Sequence, residues 1–596
     1  VNSPAVKPSA TAEQESEAAL KSVFAALEAQ ANFKLEAGAG AGKTYSLIKA
    51  LQHVLTERST YLPRDDQQIA CLTYTNVARD EIVSRTDASP FVFADTLHGF
   101  LWEMIRPYQK ALAHAIAMDL KWQGTLDGRT TLHGVQIDYD LGIRGISGDV
   151  ASLHHDDVPA LAIELFKNQK FRALIADRFP IIFIDEYQDT PHGLVEAMLS
   201  GHGEDPRTSV YGFFGDHWQQ IYDRTCGSIE HPTLTAIPKN ANFRSDATIV
   251  DFLNQLRPEL QQAPAHGAEK GTITIYHTNG WPGVRLGNNW KGQISHSASR
   301  KALEWAIEDA QERRWDGAAT EVKTLMLTHT AIANELGYES LPSIFKYSDA
   351  FIRKGDPVIA YLLDIVEPAA EAFRAHKYGD LFNVLGRTRP HLRTPRDKAQ
   401  WSNLFGVLDA LRTSGTVGDV LDHLHRQTLF SIPSRVQRRQ ADLDEATSAL
   451  DPETPLSEPR RLVEYQKLRS VPYREIQALA AYVDDKTVFS TKHNVKGAEF
   501  DNVVVLLGRG WSAYDFAKML ENYRRRNYLN ATERKSFERS RNLFYVAASR
   551  AKHNLALVFT QKLEQDALTA LTTWVGDSNI VPIDFADEEA TAVSPL

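Results

Sequence analysis

The segment Ala37–Thr44, AGAGAGKT, constrains this chain more than any other. It has the spacing of a phosphate-binding loop, with alanine where the first glycine usually stands. It lies between the apolar run NFKLEA and a stretch in which Leu47, Ile48, Leu51, Val54 and Leu55 recur at helical intervals. Gly38, Gly40 and Gly42 let the backbone curl so that its N–H groups face anionic oxygens, and the start of the helix adds positive potential. In such a loop Lys43 reaches the β and γ phosphates of a nucleoside triphosphate, and the Thr44 hydroxyl ligates Mg²⁺.

A second element completes the phosphate chemistry. In IIFIDEYQDT, Asp185 and Glu186 follow four residues of buried-strand character, so both carboxylates emerge where ligands sit in open α/β sheets. One carboxylate can hold Mg²⁺ through water, and the other can orient and deprotonate an attacking water. An isolated acidic pair at a strand end is usually an exposed cap. Its combination with Lys43 and Thr44 gives it meaning.

Short apolar runs alternate with amphipathic stretches in both halves, which predicts parallel sheets wound with helices on both faces. Those runs are NFKLEA, IACLTYT, PIIFIDE and SVYGFFGD in the first half and KTLMLTH, DNVVVLLG and NLALVFT in the second. Two regions break the pattern and read as polar, helical insertions: one from about Trp102 to Lys170, the other from about Ala350 to Asp484. At 596 residues the chain exceeds the size of a single hydrophobic core. The first twenty residues read as a flexible head and the acidic stretch after Asp584 as a frayed tail.

Composition excludes several classes. Two cysteines, Cys71 and Cys226, cannot build a disulfide framework or a four-cysteine metal site, which fits a reducing cytoplasm. No stretch approaches the roughly 18 uninterrupted apolar residues of a membrane span. A net charge of −10 argues against a uniformly basic nucleic-acid coat, so any such contact must be local. Local basic clusters occur at Arg387, Arg389, Arg393, Arg396 and Lys398, at Arg435, Arg438 and Arg439, and at Arg524, Arg525 and Arg526.

Several strings then fall in one order: TYTNVARDEI, TLHGF, IDEYQDT, GDHWQQIY, NFRS, TKHNVKGAEF and LFYVAASRAK. With the phosphate loop they resemble the UvrD/Rep/PcrA branch of superfamily 1 helicases and bracket residues 37 to 552. The resemblance implies an α/β fold of two RecA-like, doubly wound parallel-sheet domains, each with an inserted, mainly helical subdomain. On this sequence the first RecA-like domain covers 1–101 and 172–235 with its insertion at 102–171. The second covers 236–350 and 485–583 with its insertion at 351–484, and 584–596 form the tail.

The resemblance also assigns roles. ATP would lie on Ala37, Gly38, Ala39, Gly40, Ala41, Gly42, Lys43, Thr44 and Tyr45, with Mg²⁺ on Thr44 and Asp185 and catalysis assisted by Glu186. Gln219 would sense the γ-phosphate, and Arg244 and Arg550 would contact it from the second domain. Phe243 would stack on adenine and Glu499 approach the ribose. Single-stranded DNA would meet Tyr74, Thr75, Asn76, His98, Tyr222 and His493, aromatic faces holding bases without reading sequence.

Departures from the family are equally specific. Its adenine-contacting glutamine precedes the loop at a spacing that falls here near Ser22, with Gln14 and Gln30 off register; Tyr45 replaces the usual arginine after GKT. Beyond Tyr222 a base-stacking tryptophan is missing, although Trp218 lies shortly before. The expected activity is 3′ to 5′ translocation on single-stranded DNA, with unwinding of tailed duplex, in repair, recombination or phage defence. The alternative is a nucleotide-gated DNA-binding subunit for a separate nuclease, as in two-gene Gabija-type systems. A P-loop kinase would explain the phosphate loop but not LFYVAASRAK.

Overall fold

The computed structural model describes residues 10–126, 131–139, 144–201, 207–220, 225–315, 322–326, 332–333, 336–345, 351–352, 354–385, 394–427, 431–448, 457, 459–483, 489–490, 498–509 and 514–585. Contacts group the chain into two compact units. One comprises Val1–Glu321, Glu499–Val503 and Trp511–Leu596; the other comprises Val322–Ala498 and Val504–Gly510. The fold class is α/β on parallel sheets of the RecA-like kind, as the sequence predicts.

In the first unit six strands form one parallel sheet: β1 (Asn32–Ala37), β2 (Ile69–Thr73), β3 (Val92–Thr96), β4 (Ile181–Asp185), β5 (Val210–Gly215) and β6 (Leu234–Lys239), in the order β3-β2-β4-β5-β1-β6. Strand alternation divides the core between the two faces of this sheet. Ile182, Ile184 and Phe213 point into one cluster, shared with Phe100, Leu101 and Ile105. Ile181, Phe183 and Phe214 point into the other, shared with Leu47, Leu51 and Val54. Both faces are therefore covered by helices, which explains why β4 reads as an unbroken apolar run. The same unit holds β7 (Thr272–His277), paired in parallel with β11 (Ala551–Phe559) and β12 (Ile580–Pro582).

Helix α1 (Ala12–Glu28) corrects the expectation of a flexible head. Thr11 and Gln14 form a reciprocal capping box, and Ala12, Ser16, Ala19, Val23, Ala26 and Leu27 bury one stripe, so the polar composition hides an amphipathic helix. The stretch from about Trp102 to Lys170 also differs from an all-helical reading. Besides helices Gln109–Met118 and Asp157–Phe166 it carries strands Gln136–Asp138, Gly145–Ser147 and Val150–Ser152. The antiparallel pair closes at Gly148, whose φ of 63° suits the tight reversal.

The second unit holds β8 (Val322–Met326), paired in parallel with β9 (Phe489–Ser490), and the strand β10 (Phe500–Leu507) runs from one unit into the other. Its remaining described residues are mostly helical. Capping boxes at Thr394 and Thr416 start helices Pro395–Ser414 and Val417–Arg426. The fully buried Arg412 is gripped by Glu367 at 2.8 and 2.7 Å, by Glu371 at 2.7 Å and by Asp409 at 2.8 Å.

Of the basic clusters, Arg387, Arg389 and Arg393 lie outside the described residues. Arg396 and Lys398 fall in the first turns of Pro395–Ser414, Arg435 and Arg438 are exposed, and Arg439 pairs with Asp356. Arg524 and Arg525 are exposed, and Arg525 donates to the Asn522 side chain. Residues 1–9 of the expected head and 586–596 of the expected tail also lie outside the described residues. Among the described residues no helix is long and apolar enough to cross a membrane.

Truncating one partner of a buried ion-pair cluster leaves the other charge stranded. Arg412→Ala should therefore lower the stability of the second unit by about 3–5 kcal/mol, measured as an earlier thermal transition, whereas Arg435→Ala on the exposed face should leave it unchanged.

Candidate nucleotide site

Sheet register gathers the site. β1 pairs with β5 through Glu36↔Gly215 and with β6 through Ala37↔Lys239, while β4 pairs with β5 through Asp185↔Phe214. The loop after β1, the acidic pair after β4 and the GDHWQQ turn after β5 consequently emerge at the same carboxyl edge.

The loop is built as its sequence requires. Gly40 and Gly42 have φ of 73° and 72°, and Gly42 precedes helix α2 (Lys43–Thr56), whose Ser46, Leu47, Ile48, Ala50, Leu51 and Val54 are buried. A Cβ at Gly40 would meet Asn242 Oδ1 at 2.5 Å and Arg244 Cβ at 2.7 Å. Lys43 Nζ lies 3.9 Å from Glu186 Oε1. Glu186 follows the buried Asp185, has a left-handed φ of 50°, and accepts a 2.6 Å hydrogen bond from Gln188 Nε2.

The NFRS segment docks on this loop. Phe243 N donates to Gly40 O at 2.9 Å, Asn242 Nδ2 donates to Ala39 O at 3.1 Å, and Gln262 Nε2 donates to the same carbonyl at 3.0 Å. From helix α5 (Ala531–Ala548), Tyr545 accepts a hydrogen bond from Ala39 N at 3.0 Å. Arg244 and Arg550 therefore reach the same neighbourhood. Arg244 binds Glu499 Oε2 and Ser549 O, both at 3.0 Å, and Glu499 is also 3.4 Å from Lys552 Nζ. The guanidinium of Arg550 is enclosed and donates to Val546 O at 2.9 Å and Ser549 Oγ at 3.1 Å. Burial, then the charge of Arg244, depress its pKa, while Glu186 opposes the shift.

Gln219 is buried and donates to Asp216 Oδ2 at 2.9 Å; Asp216 in turn accepts from Arg257 Nη1 at 2.6 Å. Arg257, missed in the sequence, also lies 3.6 Å from Glu36, which is hydrogen bonded to His217. Burial alone would raise the Glu36 carboxyl, but the His217 hydrogen bond and the charges of His217, Lys34 and Arg257 hold it down at about 2. Glu36, Asp216 and His217 could in geometry surround an ion, yet each is already engaged within this network. Trp218 is no substitute for the missing base-stacking tryptophan. It is buried, with Arg541 3.7 Å and Arg257 5.1 Å from its ring centre.

A cavity of about 500 Å³ beside the loop is lined by Glu13, Ser16, Glu17, Leu20, Gly42, Tyr45 and Phe243. Tyr45 and Phe243 each expose about half their surface, at 50% and 44%. Near this edge Gln14 engages its Oε1 in the α1 capping box, Ser22 bonds Ala18 O, and Gln30 lies past the end of α1.

The remaining candidates form a separate group. Tyr74 follows β2 and is 41% exposed; Thr75 caps helix α3 (Asn76–Arg85), whose first residue is Asn76. His98 lies in the first turn of helix α4 (Leu97–Ile105), its ring 6.3 Å from that of His155. Burial, then the charge of His155, depress its pKa. Tyr222 and His493 lie outside the described residues.

With this geometry in place, comparison with known families is informative. An AAA domain model matches residues 20–224, and a UvrD-like helicase C-terminal domain model matches residues 354–562. This chain carries UvrD-like helicase domains. It is accordingly an ATP hydrolase and DNA-binding protein. It is 22% identical to the Gabija protein GajB of Bacillus cereus strain HuB5-5, across 92% of this chain and 95% of that protein. It is 28% identical to the Gabija protein GajB of Bacillus cereus strain VD045, across 39% of this chain and 47% of that protein.

The depressed Glu36 carboxyl has a thermodynamic signature. The unfolded carboxyl titrates near 4.5, so its contribution is complete above that pH and is lost as pH falls toward 2. Glu36→Gln should remove on the order of 3 kcal/mol at neutral pH. Melting temperatures of variant and parent, far apart at pH 7, should converge near pH 2.

Proposed function

We propose that this chain is a Mg²⁺- and ATP-dependent motor that moves along single-stranded DNA in the 3′ to 5′ direction and acts with a separate nuclease subunit in phage defence. The convergence of Lys43, Glu186, Arg244 and Arg550 around one glycine loop carries the nucleotide part of this reading. The similarity to Gabija proteins across most of the chain supports the defence setting.

The residues present suit a bound triphosphate and its metal. Lys43 beside Glu186, Arg244 paired with Glu499, and the enclosed Arg550 give the site three cations that would turn to phosphate oxygens. The Thr44 hydroxyl and Asp185 carboxylate are hard oxygen donors of the type Mg²⁺ prefers, and the ion would neutralise charge developing on the phosphates. Glu186 would orient and deprotonate the attacking water. Gln219, fixed on Asp216, would report the state of the γ-phosphate to the turn that holds it.

The arginines would tie chemistry to movement. Arg244 and Arg550 belong to segments docked on the loop through Asn242, Phe243 and Tyr545, so small shifts in that docking would change their reach. Tyr74, on the segment after β2, would hold a base by its exposed face, with Thr75, Asn76 and His98 along the strand and Tyr222 and His493 completing the path. Alternating grip would convert closure into a step. Residues 1–101 with 172–235 and residues 236–350 with 485–583 would be the two motor domains, 102–171 and 351–484 their insertions, and 584–596 the tail.

The second reading is a nucleotide-gated clamp with little unwinding of its own. It draws on the burial of Trp218, which leaves the DNA path one aromatic platform short.

Lys43→Ala or Glu186→Gln should reduce DNA-stimulated ATP hydrolysis by at least about a hundredfold while the circular dichroism spectrum stays unchanged; retained turnover would eliminate the site assignment. Strand displacement on 3′- and 5′-tailed duplexes separates the two readings. Unwinding from the 3′ tail supports the motor, and DNA-stimulated hydrolysis without displacement supports the clamp.

A further inference from the structure

Lys239 ends β6 directly beside the phosphate loop, because register pairs it with Ala37. Its side chain is fully buried, and its Nζ donates to Gly42 O at 3.1 Å and to Ser46 Oγ at 2.7 Å. Among the described residues no carboxylate comes within ion-pairing distance of it. Its other neighbours are the rings of Tyr45 and Phe243, with centroids 5.8 and 5.9 Å away.

A buried ammonium without a counter-ion is expensive, and two neutral acceptors with two ring faces offset only part of that cost. Burial and then the like charge of Lys43 push its pKa down to about 8. Two lysines thus lie under one glycine loop, and among the described residues the carboxylate in reach, Glu186, pairs with Lys43 and not with Lys239. The missing charge is one that a polyphosphate bound on the loop would bring.

We propose that Lys239 is a positioning residue for the nucleotide: a second ammonium beneath the loop whose field, transmitted through Gly42 and Ser46, draws in and seats a polyphosphate. The inference rests on the reading that Ala37–Thr44 binds a triphosphate. Lys239 does not touch the reacting atoms. Its charge remains uncompensated until the ligand arrives, so it favours the bound state over the empty one.

The test separates charge from hydrogen bonding. Lys239→Met removes both, Lys239→Gln keeps a donor for Gly42 O and Ser46 Oγ without the charge, and Lys239→Arg keeps the charge. Steady-state ATP hydrolysis with saturating single-stranded DNA should show KM raised about tenfold in the Met and Gln variants, kcat within about twofold, and KM largely restored in the Arg variant. Without nucleotide the Met variant should melt no earlier than the parent, while its stabilisation by ATP should shrink. A Gln variant with parental KM, or a Met variant that loses kcat, melting temperature or its fold, would make Lys239 a structural staple and overturn the proposal. Failure of the parent itself to bind or hydrolyse ATP would instead overturn the underlying nucleotide reading.

Discussion

Everything at the candidate site depends on the docking of Asn242–Arg244 and Tyr545 on the backbone of Ala39 and Gly40. A glycine-rich loop by itself offers only N–H groups and one lysine. Once a distant strand end and a helix from near the C-terminus are hydrogen bonded to that loop, two guanidinium groups come within its electrostatic reach. These bonds use two carbonyls and one N–H of the loop, so its backbone is secured at Ala39 and Gly40.

A second consequence is a continuous polar network below the loop. Glu36, His217, Arg257, Asp216 and Gln219 form a chain of ion pairs and hydrogen bonds, capped by Trp218 and Tyr545. In a low-dielectric interior the members of such a chain polarise one another, which couples Gln219 through Asp216 to Arg257.

Much of this was legible in the sequence because its signals are local. NFKLEA, PIIFIDE and SVYGFFGD matched strands because they are short apolar runs, and the helix after GKT matched because its apolar residues recur at helical spacing. Val92–Thr96 and Leu234–Lys239 escaped notice. The first has every residue half-buried, and the second carries exposed Thr235, Ala236 and Pro238 along its outer edge. Arg257, Gln262 and Lys239 were illegible for a different reason. Their significance comes from partners far away in the chain, and no spacing rule announces a lysine that meets a glycine carbonyl across a sheet. Gln14 is ambiguous in the sequence, because a helix cap and a base contact ask for the same residue type.

Glu186 carries an implication for how this site tolerates change. Along an extended strand, neighbouring side chains project to opposite sides, so two consecutive acids would ordinarily diverge. The chain twists into a sparsely populated backbone region just after Asp185, which re-aims the second acid toward Lys43. Glycine would occupy that twist more comfortably but would carry no side chain. A residue disfavoured by its own backbone thus carries the carboxylate that faces Lys43, so local folding preference at this position runs opposite to what the proposed chemistry asks of it.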